Sequence, residues 1–160
     1  MFFAEPERAF AALHASLAPG GRLAFVCWRA LVENPWMALP LAAARTVVDA
    51  PAAQAGEREP PGPFAFARRA RLEALLAASG FHRVTVAPFD HDVRMGADPS
   101  AAAAFALSNG PTAALLRTLT SEAERARVGA AVVRALEPHM KAEGVALAGA
   151  TWVVTAERPD

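Results

Sequence analysis

Residues 17 to 30, Leu-Ala-Pro-Gly-Gly-Arg-Leu-Ala-Phe-Val-Cys-Trp-Arg-Ala, constrain the fold of this 160-residue chain more than any other stretch. They read as a helix end, a Pro-Gly-Gly turn and a short apolar run, the order that layered α/β sheets use. Leu23 to Trp28 is apolar without interruption, which predicts a strand covered on both faces. Upstream, Pro6 suits the first turn of a helix, and Phe10, Leu13 and Leu17 recur at helical spacing over residues 5 to 18. Only that helix and the apolar stub Met1 to Phe3 precede the turn, so the chain is expected to begin part-way through a fold.

Further elements follow from periodicity and punctuation. Asn34-Pro35 opens a helix over Trp36 to Val48, and the proline-rich stretch Asp49 to Pro63 is expected to be an irregular surface loop. Ala67 to Ser79 carries an apolar stripe, Leu72, Leu75 and Leu76, opposite Arg68, Arg69, Arg71 and Glu73, with Gly80 as C-cap. Partial alternation from Phe81 to Phe89 predicts a strand over 82 to 90, shielded less completely than the first. Residues 98 to 140 read as a helical insertion of three segments: Pro99 to Leu107, Pro111 to Thr118, and Ser121 to Leu136, where Ser121 and Glu124 suit a capping box. Thr151 to Ala156 is the last strand. The expected fold class is α/β, one domain over residues 1 to 160 with about three strands.

Composition narrows the function. Sixteen basic and sixteen acidic residues balance, so no basic field is available to hold nucleic acid. Cys27 is the only cysteine and sits inside the apolar run, which excludes a disulfide framework and suits a reducing cytoplasm. No apolar run approaches the ~20 residues that cross a bilayer, and Glu5 and Glu7 stand where a signal peptide carries basic residues. The expectation is a cytoplasmic protein with neither membrane nor nucleic-acid partner. Fifteen arginines against the single Lys141, abundant alanine and no tyrosine suit a GC-rich bacterial genome. His14, His82, His91 and His139 lie on separate elements without zinc-ligand spacing, and no serine has a nucleophile-elbow context, so neither a metal site nor a hydrolase is expected.

The ordered series of helix, Pro-Gly-Gly, Arg-Leu-Ala-Phe-Val-Cys-Trp, long insertion, helix, Gly-Phe, strand, helical insertion and final Trp-Val-Val-Thr-Ala resembles the carboxy-terminal half of class I S-adenosylmethionine-dependent methyltransferases. It is most similar to the branch related to ubiquinone and menaquinone methyltransferases, whose Met-Phe-Phe-x-Asp/Glu-Pro segment is matched by Met1 to Pro6 and whose Leu-x-Pro-Gly-Gly-x-Leu signature is matched by Leu17 to Leu23. The resemblance implies a partial Rossmann-like sheet, S-adenosylmethionine as cofactor and a small-molecule methyl acceptor. It also implies that donor-gripping elements, above all a Gly-rich turn after a strand, belong to a half absent from these residues, whose glycines form no such triplet. The competing reading is a non-catalytic remnant that binds a partner chain or an apolar ligand. In the family's order, the strand matching Leu23 to Trp28 lies between the fourth and seventh strands. One of its edges is therefore expected to lack a partner, which invites homodimerisation or association through that edge.

Candidate site residues follow from chemistry and from the resemblance. His91, flanked by Asp90 and Asp92 after the second strand, has the His–carboxylate composition of a general base, although a solvated loop would read the same way. Trp28, Arg29, Asn34 and Trp36 follow the first strand, and the two tryptophans could wall an apolar acceptor or dock a helix on the core. The resemblance puts that loop beside the substrate pocket and puts Phe105 and Asn109 in the region covering the acceptor, where their spacing equally suits core packing. By the same resemblance Phe2 and Phe3 line the rim of the donor pocket, with burial against the first helix as the simpler use. Arg68, Arg69 and Arg71 read as the solvated face of a helix.

Overall fold

The computed structural model describes residues 1–48 and 61–160. Among these the order is α1 (Pro6–Ser16), β1 (Arg22–Trp28), α2 (Pro35–Arg45), α3 (Arg69–Ala78), β2 (His82–Gly96), α4 (Pro99–Ser108), α5 (Gly110–Thr118), α6 (Glu122–Leu136), β3 (Met140–Lys141) and β4 (Gly144–Glu157). Short 3-10 turns lie at Leu31–Glu33 and Glu137–His139. The strands form one antiparallel sheet in the order β1-β4-β2, with β3 paired to β4. The class is mixed α/β, as the sequence predicts. Because β1 and β2 both run against β4, they run parallel to each other, each preceded by a helix. Most of the irregular stretch expected over Asp49 to Pro63 lies outside the described residues.

The chain divides into two compact units. The first comprises Met1–Ala30, the described part of Ala55–Asp90, and Ala150–Asp160. In it β1 pairs with β4 from Arg22↔Glu157 to Trp28↔Thr151. One sheet face, with Phe25, Cys27, Val86, Val154 and Ala156, meets Phe10 of α1 and Leu72, Leu75 and Leu76 of α3 in a single core. Each helix is built from local signals. Pro6 occupies the first turn of α1, and Gly80, at φ +91°, ends α3 in the left-handed conformation that a side chain resists. The carbonyls left open at the end of α1 are met by Arg158, whose Nη1 donates to His14 O, Ala15 O and Leu17 O.

The second unit comprises the described part of Leu31–Gln54 together with His91–Gly149. Here α2 packs on α5 and α6, and α4 packs on the same two helices. Alanines at the contacts, Ala44, Ala102, Ala103 and Ala106, let the backbones approach, and Val128, Val132 and Leu136 of α6 are fully enclosed. Pro99 follows Asp98, whose carboxylate accepts from Ala101 N at 2.8 Å and caps α4. At α6 half of the expected capping box forms: Ser121 Oγ accepts from Glu124 N at 3.3 Å, while the Glu124 carboxylate lies 3.9 Å from Arg127.

Several sequence expectations are corrected. The sheet has four strands rather than about three, because Met140–Lys141 folds back on Val145 and Gly144. The second strand continues to Gly96 and the last begins at Gly144, since cross-strand pairing sustains segments whose local pattern is interrupted. The first strand is covered on one face only: Leu23, Phe25 and Cys27 turn inward, while Ala24 and Val26 are exposed, Val26 by 57%. An antiparallel neighbour allows one face to remain open, where a fully parallel sheet would have demanded cover on both.

Candidate functional site

Sequence-nominated residues gather in two groups, one within each unit. In the first unit Arg29 directly follows β1, and its amide extends the ladder to Ala150 O at 3.0 Å. Its guanidinium donates to Asp90 Oδ1 at 2.7 Å and lies 5.0 Å from the centre of the Trp152 ring. The Trp152 indole is pinned from its other end, where Nε1 donates to Ala67 O at 2.7 Å. Arg29 is therefore held by a carboxylate and by an aromatic face, in an orientation set by both. Trp28, one residue earlier, points to the opposite face of the sheet by strand alternation and is half-buried.

His91 has a different setting from the one its neighbours suggest. Asp90, His91 and Asp92 are not a loop after the strand but lie within β2. The period of two then sends His91 to one face, with Val93 and Met95, and sends both aspartates to the other. Asp90 is engaged by Arg29. The local His–carboxylate pairing that made His91 a candidate base is thus undone by strand geometry.

In the second unit His91 joins Trp36 and Phe105. The Trp36 and Phe105 rings have centroids 5.9 Å apart with a 40° tilt. Gly149 of β4 is the floor of this group: a Cβ there would come 2.8 Å from Val93 Cγ2, 3.3 Å from Trp36 Cδ1 and 3.4 Å from His91 Nε2. Glycine permits the close approach of an indole and an imidazole to the backbone. Asn34 is fully buried at the N-cap of α2, where its carbonyl accepts from Met37 N and Ala38 N at 2.9 Å each. Asn109 is exposed, and its Nδ2 donates to Phe105 O at 2.8 Å, closing the end of α4. The structure therefore brings Trp36, Phe105 and His91 together, and gives Asn109 a helix-ending bond.

Among its described residues the first unit holds cavities at two places. One, of about 280 Å³, is lined by Met1, Phe3, Glu5, Glu7, Phe66 and Arg71 among others. Phe3 contributes to it while packing edge-on against Phe10 at 6.1 Å, and Phe2 is 70% exposed. The other, of about 420 Å³, is bounded by Arg22, His82, Arg83, Glu157 and Arg158. There Glu157 is clamped by Arg22 Nε and Arg83 Nη1 at 3.1 Å each, and Arg83 adopts φ +48°. Sequence reasoning missed this cluster, because its members come from three strand ends that only the sheet unites.

Cys27 is buried, its thiol directed to Phe66 O at 3.8 Å, and loss of solvent pushes it up to about 11. A thiol so rarely ionised is a poor nucleophile. Among the described residues no helix is long and apolar enough to cross a membrane. No family model and no curated protein matches this chain.

Proposed function

We propose that this chain is the acceptor-side portion of a class I S-adenosylmethionine-dependent methyltransferase acting on a small molecule. The observation that carries the reading is the strand order. The resemblance places the Leu23–Trp28 strand beside the family's seventh and final strand, and β1 pairs along its whole length with the chain's last strand, β4. Further support comes from the helical segments between β2 and β4, from which Phe105 meets Trp36 beside His91. In that group Phe105 and His91 are half-buried and Trp36 is buried, so the first two are the side chains that would touch a planar, partly apolar acceptor.

When bound, the donor supplies an electrophilic methyl group on sulfonium. By the resemblance, its grip belongs to elements outside the residues described here. The cavity beside Phe3 carries two glutamates against one arginine. The competing reading is a non-catalytic domain that binds a partner chain or an apolar ligand.

Two measurements test the proposal. Calorimetric titration of the purified chain with S-adenosylmethionine and with its demethylated product is expected to give no binding heat, and micromolar affinity would overturn the division of labour. The DNA upstream of Met1 is expected to encode, in frame, a Gly-rich strand–turn–helix unit. Co-expression with that unit should transfer label from methyl-tritiated donor to small molecules; its absence from the locus would leave the non-catalytic reading.

A further inference from the structure

At the end of β1 away from Arg29, charge is gathered in a way that methyl transfer does not use. Glu157 closes the central strand β4 directly across from Arg22 at the start of β1, while Arg83 reaches it from the start of β2 on the other flank. Each arginine gives this carboxylate one nitrogen, Arg22 Nε or Arg83 Nη1, at 3.1 Å. A guanidinium carries five N–H groups, so both forks keep most of their donors for other partners. Their side chains are 80% and 81% exposed, and both line the cavity of about 420 Å³ together with His82 and Arg158. Three arginines against two carboxylates, Glu157 and Asp160, leave the side chains of this lining with a positive excess.

The backbone carries a second, independent sign. Arg83 is the one non-glycine residue among those described that holds a positive φ, +48°. A side chain resists that conformation, and residues kept in it gather at ligand clamps and active sites. The ion pair with Glu157 does not account for the strain, because exposed pairs contribute little to stability. The turn leading to Arg22 is fixed as well: Gly20 N donates to Arg158 O at 3.1 Å, and Arg158 N donates to Gly21 O at 2.8 Å.

We propose that this cavity binds a phosphate-class dianion, the terminal group of a phosphate monoester, through the guanidinium forks of Arg22 and Arg83. Planar forks match phosphate oxygens in pairs, which an ammonium cannot do. Glu157 is the positioning residue: it holds the two forks on either side of the central strand.

The test is calorimetric titration of the full chain with inorganic phosphate near neutral pH, with ionic strength held constant by sodium chloride and the folding of each variant checked by circular dichroism. The wild type is expected to bind saturably. Arg22→Gln and Arg83→Gly should each weaken phosphate binding about tenfold, whereas Arg8→Gln, which removes an equally exposed guanidinium from α1, should leave it unchanged. Glycine adopts φ +48° without strain, so Arg83→Gly is also expected to melt no lower than wild type. Sedimentation with phosphatidic-acid vesicles that both variants lose would support the site with a lipid headgroup as its source; phosphate binding without such sedimentation would support it with a soluble ester. Absence of phosphate binding above the chloride background overturns the proposal, as does an equal loss in Arg8→Gln, the mark of diffuse attraction. An Arg83→Gly protein that melts lower yet binds phosphate unchanged overturns it too, since Arg83 would then serve the sheet alone.

Discussion

Gly149→Ala tests the packing beneath Trp36 and His91 with the smallest possible perturbation. The added methyl would lie 2.8 Å from Val93 Cγ2, 3.3 Å from Trp36 Cδ1 and 3.4 Å from His91 Nε2. Carbons are comfortable at about 3.5–4.0 Å, so Val93 must retreat by most of an ångström. A β-branched side chain in a strand has few rotamers with which to do so. Overpacking of this kind costs about 1–3 kcal/mol, while replacing glycine in a strand interior returns about 0.5–1 kcal/mol through the unfolded chain. The net expectation is a loss centred on about 1 kcal/mol. Urea titration followed by circular dichroism should show a lower midpoint with an unchanged slope. Val93→Ala removes the clashing methyl, so the double variant should be more stable than the sum of the singles by about 1 kcal/mol. A Gly149→Ala protein as stable as wild type, or strict additivity in the cycle, would refute the close-approach account of this glycine.

The thiol of Cys27 links folding to alkaline pH. Burial pushes its pKa up from the ordinary 9.0 to about 11, so between those values the unfolded chain has already lost a proton that the folded chain keeps. Stability is therefore complete below pH 9 and falls as pH rises toward 11, by up to about 2–3 kcal/mol; Cys27→Ala should flatten that slope in urea titrations at stepped pH. Arg158→Ala strips α1 of the donor shared by three carbonyls and should cost about 1–2 kcal/mol, seen as a lower melting temperature. Arg158→Lys should recover only part of this, because an ammonium lacks the guanidinium fork.

What was legible in the sequence was local. Pro6, Pro99, Ser121 and Gly80 mark helix ends through chemistry completed within one turn, and α1, α3, α4 and α6 lie within two residues of where those signals put them. Strands were legible in place but not in extent. Nothing local announces that β2 passes through Pro88 and the Asp90-His91-Asp92 triplet, because the ladder to β4 is a long-range contact and an edge strand tolerates a residue without an N–H. The misreading of His91 has the same origin: neighbours in sequence become opposites once the backbone is extended. Arg29 on Trp152 and Asp90 could not be foreseen, since the three residues are brought together by sheet register. Gly149 did leave a signal, a lone glycine in the apolar run from Val145 to Val154, of the kind that marks a close backbone approach.

The three indoles have an optical consequence. With no tyrosine in the chain, near-ultraviolet emission arises from Trp28, Trp36 and Trp152 alone. Trp36 belongs to the second compact unit, and Trp28 and Trp152 belong to the first. A variant retaining only Trp36 and another retaining only Trp152, the latter quenchable through the guanidinium above its ring, would let the melting of each unit be followed separately in the intact polypeptide.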